Sequence, residues 1–324
     1  MAFRAPQPKP PGLWRRTPPA IFPPILGLMG LGLLWRGAAR LFGVPGGIGE
    51  ALLGAVTLLW LLAVLAYGAK IARRPGVLAE DLRILPGRAG LAAAVLCIYS
   101  FAVVLAPHAP AQARPVLLLG LVAHAAMLAV LLRVMARGPA EQRQVTPVWH
   151  LQFTGVIVAA IAAEAVGWMG FAHVMFFVAL VAALAIWSLS ARQFARRRVP
   201  APLRPLLAIH LTPANFLGAV GLGLGWDLPG VVFSCIAAGL LLALLLSVRW
   251  LTAAGFTPLW GAFTFPLASV GALWMTLAAA HPVWRLPGGL ALIAATLVIP
   301  PIAFRVMRMW ASGQLAVKTN AAVA

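Results

Sequence analysis

The sequence predicts an all-α polytopic membrane protein with ten transmembrane helices. The 324-residue chain is 62% hydrophobic and only 10% charged, and its mean hydropathy is +0.96. A soluble domain carries about 25% charged residues, and a spanning helix needs about 20 mainly apolar residues. Ten stretches of suitable length follow one another, at residues 19–41, 50–69, 88–106, 115–135, 147–167, 169–190, 205–225, 230–249, 258–280 and 287–309.

The first, third, fifth, seventh and ninth spans carry glycine and proline in or near their apolar stretches. Proline removes a backbone donor and kinks a helix, and a freed carbonyl that faces lipid costs several kcal/mol. We therefore expect these odd-numbered helices to form an inner ring around a pore. Its expected lining includes Pro23, Pro24, Gly27, Gly155, Pro213 and Pro266. The alternative is that these residues only let helices pack closely.

The even-numbered spans are expected to form an outer ring that faces lipid. The eighth span, VVFSCIAAGLLLALLLSV at residues 231–248, is apolar almost throughout, and the tenth span contains Pro300 and Pro301. The connections are too short to hold a soluble domain, so consecutive spans must be antiparallel. The sequence thus predicts five helical hairpins.

The basic residues predict the orientation of these spans. Lysine and arginine outnumber aspartate and glutamate by 25 to 6, and in a soluble chain this excess would indicate nucleic acid binding. Here the charges lie between the spans, where basic residues mark the cytoplasmic side. If both termini are cytoplasmic, only Arg36, Arg40, Arg114 and Arg285 fall on the opposite side. This pattern predicts a multi-pass membrane protein with both termini in the cytoplasm, and we expect membrane lipid and no nucleic acid as a partner. The expected location is a bacterial inner membrane.

Three regions follow from this organisation. Residues 1–16 are expected to form a disordered cytoplasmic arm, residues 17–310 the transmembrane domain, and residues 311–324 a cytoplasmic tail. The first span lacks a clear cleavage site, so we expect it to be a retained helix rather than a signal peptide.

Few ionisable residues lie at membrane depth, where such groups are functional candidates. His150, Glu164 and His210 are the candidates for a polar or proton-coupling role. Because acids are so sparse, the chain offers little for cation conduction, and a weakly polar lumen with a basic mouth suits anions. The alternative is that the basic residues only fix the topology. No CxxC, HExxH, GxSxG or Walker motif occurs, so we expect neither an enzyme nor a cofactor, although membrane histidines leave open a haem- or metal-binding protein.

Two stretches resemble a known family of membrane proteins. Residues 22–28 (FPPILGL), with Trp35 after them, are similar to the first-helix pattern Phe-Gly-Ile-Pro-Leu-Gly-Leu of the tellurite-resistance/dicarboxylate transporter family, which includes the plant slow anion channels. Residues 260–266 (WGAFTFP) are similar to its ninth-helix pattern Trp-x-Tyr-Thr-Phe-Pro. The ten-span architecture extends the resemblance over nearly the whole chain.

The resemblance implies a homotrimer in which each protomer has its own pore, closed by a phenylalanine of the ninth helix. That gate corresponds to Phe265, with Phe263 as the rival, and the family's first-helix glycine beside the gate falls on Pro23. The expected function is passive transport of small inorganic or organic anions. The alternatives are a secondary carrier that exports an organic acid or oxyanion (dicarboxylate, sulfite or tellurite) and the haem- or metal-binding protein.

Overall fold

The computed structural model describes residues 12–324, so most of the predicted arm at residues 1–16 lies outside the described residues. Within this range all regular structure is helical and no strand occurs. Nine helices among the described residues are long and apolar enough to cross a membrane. The chain is therefore an all-α, multi-pass membrane protein, as the sequence predicts.

Five segments correspond to the odd-numbered spans, and in four of them 67% of the most apolar stretch is buried inside the protein. Their α-helical parts are α1 (Phe22–Phe42), α4 (Leu85–Leu105), α6 (Val156–Ala165), α8 (Leu211–Gly223) and α11 (Thr264–Leu277). The fifth segment, His150–Ala165, is apolar but shorter than the nine candidate spans. The arrangement of ten helices in five hairpins therefore stays a prediction.

Five helices correspond to the even-numbered spans, and only 22–39% of their most apolar stretches is buried. They are α2 (Gly47–Arg73), α5 (Pro110–Arg137), α7 (Met169–Arg196), α9 (Asp227–Leu246) and α12 (Arg285–Ala311). Leucines and valines such as Leu58, Val122 and Val181 are more than 65% exposed on them. In a membrane protein such surfaces meet lipid, where apolar side chains belong. Short helices α3 (Val77–Arg83), α10 (Val248–Leu251) and α13 (Gln314–Lys318) lie on the connections and the tail.

The buried helices pack on one another in a closed order. Helix α1 contacts α4 and α11, α4 contacts α6, α6 contacts α8, and α8 contacts α11. Each lipid-exposed helix packs most closely on one member of this set, α2 on α1, α5 on α4, α7 on α6, α9 on α8, and α12 on α11, and touches a second member as well. We call α1, α4, α6, α8 and α11 the inner helices. Because these contacts form a closed circle, each inner helix turns one side toward a shared central axis. A conducting pore along that axis stays a prediction.

Most inner segments start with backbone that is not α-helical. The residues Pro19–Ile21, Ala201–His210 and Pro258–Phe263 form 3-10 helices, and His150–Thr154 form a π-helical turn. Irregular backbone at membrane depth is tolerated where it is buried in protein or lines a cavity. The starts of the inner segments are therefore the places to look for a site.

The predicted prolines lie where these irregular starts change into α-helix. Pro23 and Pro24 are in the first turn of α1, Pro213 is in that of α8, and Pro266 is in that of α11. A first-turn proline leaves no helix hydrogen bond unmade, because that N–H has no intrahelical partner. Proline is not confined to the inner helices, since Pro115 lies inside α5 and the Pro300–Pro301 pair inside α12.

The two ends of the described chain meet at a buried ion pair between α2 and α3. Lys70 and Asp81 are fully buried, and their charged groups lie 2.7 Å apart. The Lys70 ammonium also donates to the carbonyl of Thr17, and Asp81 accepts hydrogen bonds from the Tyr67 hydroxyl and the Ala322 amide. This cluster, which we call the terminal clamp, joins α2 and α3 to the tail and to the residues before α1.

Candidate functional site

A central cavity lies among the starts of the inner segments. All five segments contribute to its wall, through residues such as Leu26, Ala89, Leu151, Ile209 and Phe265. Its volume is about 30 Å³, which is room for one or two water molecules. The wall is almost entirely apolar, with Thr212 as its polar side chain. The site is therefore a small, weakly polar space lined by all five inner segments.

The Phe265 ring forms part of the wall of the central cavity. Its side chain is only 6% exposed, and its ring stacks on that of Phe216, with centroids 5.2 Å apart and planes 26° from parallel. Phe265 is the second residue of α11, directly after the 3-10 segment, and Phe216 lies on α8. Two inner helices thus hold two aromatic rings face to face beside the cavity.

A glycine of α1 provides the space for this ring. A Cβ atom built on Gly30 would lie 3.3 Å from Cδ2 of Phe265 and 3.0 Å from Cβ of Ala268. Sequence reasoning aligned Pro23 with the glycine beside the gate, but the glycine against the ring is Gly30, seven residues later. The i, i+3 pair Gly27 and Gly30 was the available signal, since this spacing puts both on one face of α1.

Gly27 lets α1 and α11 approach closely, because a side chain there would collide with Thr264. The Thr264 hydroxyl lies 2.7 Å from the Gly261 carbonyl oxygen and 3.2 Å from that of Pro23, so it can donate to either. This contact fixes the start of α11 against α1. It therefore sets the position of Phe265, the next residue.

The other predicted lining residues divide into two groups. Pro23 and Pro266 line the central cavity. Pro24 packs against Gly261, Gly155 lies against the Leu151 carbonyl and the Leu96 side chain, and Pro213 follows the lining residue Thr212. The rival gate residue Phe263 does not line the cavity. Its ring is half-buried and meets that of Trp260 at a centroid distance of 5.8 Å.

His150 and His210 are brought together between the fifth and seventh segments. Nε2 of His150 lies 2.9 Å from Nδ1 of His210, and Trp187 donates to the His210 carbonyl. A metal ion shared by two imidazoles needs each nitrogen at about 2.1 Å, so two directly hydrogen-bonded rings leave no room for it between them. No group of three metal-ligating side chains occurs in the part of the chain that the structure describes. The pair is therefore a polar contact behind the cavity wall, next to the lining residues Leu151 and Ile209.

Glu164 lies far from these histidines along its segment. It is near the end of α6, and a Cβ on Gly223 at the end of α8 would collide with its carboxyl group. Its Oε1 atom is buried and has no hydrogen-bond partner. The three polar candidates thus fall into two places, one beside the cavity and one at the opposite end of the inner helices.

Arg88 is a buried cation that sequence reasoning counted only as an orientation signal. It is 4% exposed and lies on α4 between the lining residues Pro86 and Ala89. Its guanidinium donates to the carbonyls of Leu82 and Gln142 at 2.7 and 2.8 Å, and one nitrogen has no partner. A buried charge with carbonyl partners keeps a positive potential near the cavity, which favours anions.

Comparison with known families gives one match over nearly the whole chain. A family model described as SLAC1, voltage-dependent anion channel, matches residues 16–309. That range contains every inner helix, the central cavity, Phe265 and the three polar candidates. No curated protein matches the chain.

Proposed function

Because this chain belongs to the voltage-dependent anion channel family, we propose that it conducts small anions through the inner helices and that Phe265 is the gate. Family membership and the multi-pass fold establish anion transport in general terms. The observation that carries the finer proposal is the position of Phe265, which walls the central cavity while it stacks on Phe216 and faces Gly30. Transport rather than catalysis is the proposed activity.

The proposed gate works by excluding water from a narrow apolar passage. A bulky ring in such a constriction prevents ions from keeping their hydration shell. The five inner segments all start around the cavity, so the positive ends of their helix dipoles face it, and Arg88 adds a full charge nearby. This potential would concentrate anions at the gate.

Replacement of the gate ring is the direct test. We expect Phe265→Ala to raise chloride and nitrate flux into liposomes by about tenfold or more, which corresponds to lowering the barrier by about 1.4 kcal/mol. Phe263→Ala is the matched control, because it removes the same kind of ring two residues before Phe265, at a position that does not line the cavity. Equal flux in wild type and Phe265→Ala, or a larger rise in Phe263→Ala, would show that the gate is assigned to the wrong residue.

The second candidate is a secondary carrier for an organic acid or an oxyanion such as a dicarboxylate, sulfite or tellurite. It is favoured by the buried, partnerless Oε1 atom of Glu164, since proton-coupled carriers use such carboxyl groups. A proton gradient should then drive uptake of a dicarboxylate, and Glu164→Gln should abolish that dependence. A passive channel predicts flux that follows the anion gradient alone and is unchanged in Glu164→Gln.

The proposed setting is a bacterial inner membrane, with both termini in the cytoplasm and three copies assembled so that each keeps its own pathway. The distribution of lysine and arginine supports this orientation, since the basic residues collect at one end of the helices. Labelling of single cysteines introduced at Arg137 and at Arg114 in intact cells tests it. A membrane-impermeant reagent should reach the position at 114 and not the position at 137.

A further inference from the structure

A second cavity opens on the side of the protein between α7, α9 and the segment Ala201–His210. We call it the lateral groove; its volume is about 1070 Å³, far larger than the central cavity. Its inner wall includes Leu206, which also lines the central cavity. The groove is thus a separate space that one residue layer divides from the candidate pathway.

The lateral groove has an apolar wall and a strongly basic rim. Leu240, Ala243 and Leu244 of α9 contribute an apolar wall. Four arginines form the basic rim, at Arg192, Arg196, Arg197 and Arg198. No acidic residue lines the groove within residues 12–324, and none of these four side chains makes a hydrogen bond or ion pair there. The charge of the rim is therefore uncompensated by the protein.

Two hydroxyl groups add hydrogen-bonding capacity to the rim. Thr146 and Ser190 both line the groove, and the Oγ1 and Oγ atoms have no hydrogen-bond partner among the described residues. Buried hydroxyls normally find partners, because leaving one unpaired costs about 1–3 kcal/mol. Rotation about χ1 would turn either hydroxyl from its buried position toward acceptor oxygens of a ligand in the groove.

We propose that the lateral groove binds an anionic phospholipid, with its phosphate at the arginine rim and its acyl chains along α9. Guanidinium groups bind phosphate oxygens with two parallel hydrogen bonds, and basic pockets between transmembrane helices suit acidic lipid headgroups. Free phosphate would leave the apolar wall unused, whereas a lipid uses both the wall and the rim. Lining residues such as Leu189 and Phe194 of α7 and Ile236 of α9 are also exposed on the lipid-facing surface, so a bilayer lipid can reach the groove from that side.

Arginines at this end of the helices would also help to orient the protein, so the test must separate a site from general positive charge. The triple variant R196Q/R197Q/R198Q removes three charges from the rim. The matched control R133Q/R137Q/R143Q removes three charges from the end of α5 and the connection after it, on the same predicted side of the membrane, at residues that do not line the groove. Neither set makes a hydrogen bond in the described chain, so folding should be equally unaffected.

Native mass spectrometry of the full chain, purified with phosphatidylglycerol and phosphatidylcholine in equal amounts, measures the binding. We expect wild type and R133Q/R137Q/R143Q to retain phosphatidylglycerol preferentially, and R196Q/R197Q/R198Q to lose that preference by about tenfold. Equal loss in both triple variants, or no preference in wild type, would overturn the proposal. Competition by glycerol phosphate as effective as that by the lipid would show a free-phosphate site instead.

The apolar half of the groove is tested on α9. Leu244→Trp places a large ring in the groove, whereas Leu245→Trp places the same ring on the lipid-facing surface beside it. We expect only Leu244→Trp to displace phosphatidylglycerol. If Leu244→Trp instead changes the number of associated chains while lipid retention stays at the wild-type level, the groove is an interface between copies and the lipid proposal fails.

Discussion

The missing side chain at Gly30 shapes the surroundings of the Phe265 ring. The ring has Phe216 on α8 as its stacking partner and Gly30 on α1 as a close neighbour, so residues of three inner helices meet beside the cavity. A methyl group at Gly30 would crowd both Phe265 and Ala268 by a few tenths of an ångström. The width of the space beside the Phe265 ring therefore depends on this residue as well as on the ring itself.

We expect Gly30→Ala to lower the anion flux of the Phe265→Ala protein several-fold, because the added methyl group occupies space that the ring has vacated. In the wild-type background it should lower stability by about 1–3 kcal/mol, since overpacking a well-filled core has that cost. Liposome flux and thermal unfolding in detergent measure the two effects. Gly54→Ala is the control, because nothing lies within 4 Å of its Cβ position. An undiminished flux in Gly30→Ala/Phe265→Ala would contradict this role.

At this scale the sequence identified Phe265 but not its neighbours. The short pattern around residues 260–266 is local, so it can be read without knowing the fold. Phe216 and Gly30 become relevant only through the register of α8 and α1 against α11, and register depends on side-chain packing between helices distant in sequence. Pro23 was aligned with the family's first-helix glycine for the same reason: its position in a short motif can be read from the sequence, but its position in the packing cannot.

Among the elements, helix ends carry much of the specific structure. Four inner segments pass from 3-10 or π-helical backbone into α-helix, and the predicted prolines mark three of these changes. Nine of the ten spans predicted from the sequence correspond to candidate spans among the described residues. They could be predicted because long apolar runs are the strongest signal in a membrane protein. The prediction overestimated the regular length of the fifth, where the π-helical turn at His150–Thr154 and the end of α6 at Ala165 leave a short helix.

The terminal clamp is an element-scale feature that hydropathy could not reveal. We expect Asp81→Ala to destabilise the protein by about 3–5 kcal/mol, because it leaves the Lys70 ammonium buried without its carboxylate. The double variant Lys70→Met/Asp81→Leu should recover most of the loss, since an apolar pair of similar size needs no charge partner. Thermal unfolding in detergent compares the three proteins. A double variant as unstable as Asp81→Ala would show that the backbone contacts to Thr17 and Ala322, not the ion pair, hold the clamp.

For the whole molecule, the alternation of buried and lipid-exposed segments is the organising feature. Which segments are buried and which face lipid could be predicted from the sequence, because proline and glycine favour interior positions while plain apolar helices suit lipid. Which inner helix contacts which could not be predicted, since many arrangements of five buried helices satisfy the same alternation. The lateral groove was equally hidden, because its arginines read in sequence as an orientation signal only.

If each copy in the proposed trimer has its own pathway, flux should depend linearly on the fraction of open copies. We expect liposomes made with mixed wild-type and Phe265→Ala protein, co-expressed so that the trimers are mixed, to show flux proportional to the mutant fraction. A single shared passage would instead give flux that rises as a higher power of that fraction. Flux measured at several expression ratios, with subunit content checked by mass spectrometry, distinguishes the two.

Leu206 stands between the central cavity and the lateral groove, and this has a pharmacological consequence. A lipophilic blocker would not need to enter from the water on either side, where hydrated anions compete with it. It could partition into the bilayer first and reach the groove sideways, coming within one leucine side chain of the candidate pathway. Compounds of that kind would act with a potency set by their membrane concentration, and enlarging or trimming residue 206 would change their effect with Phe265 left intact.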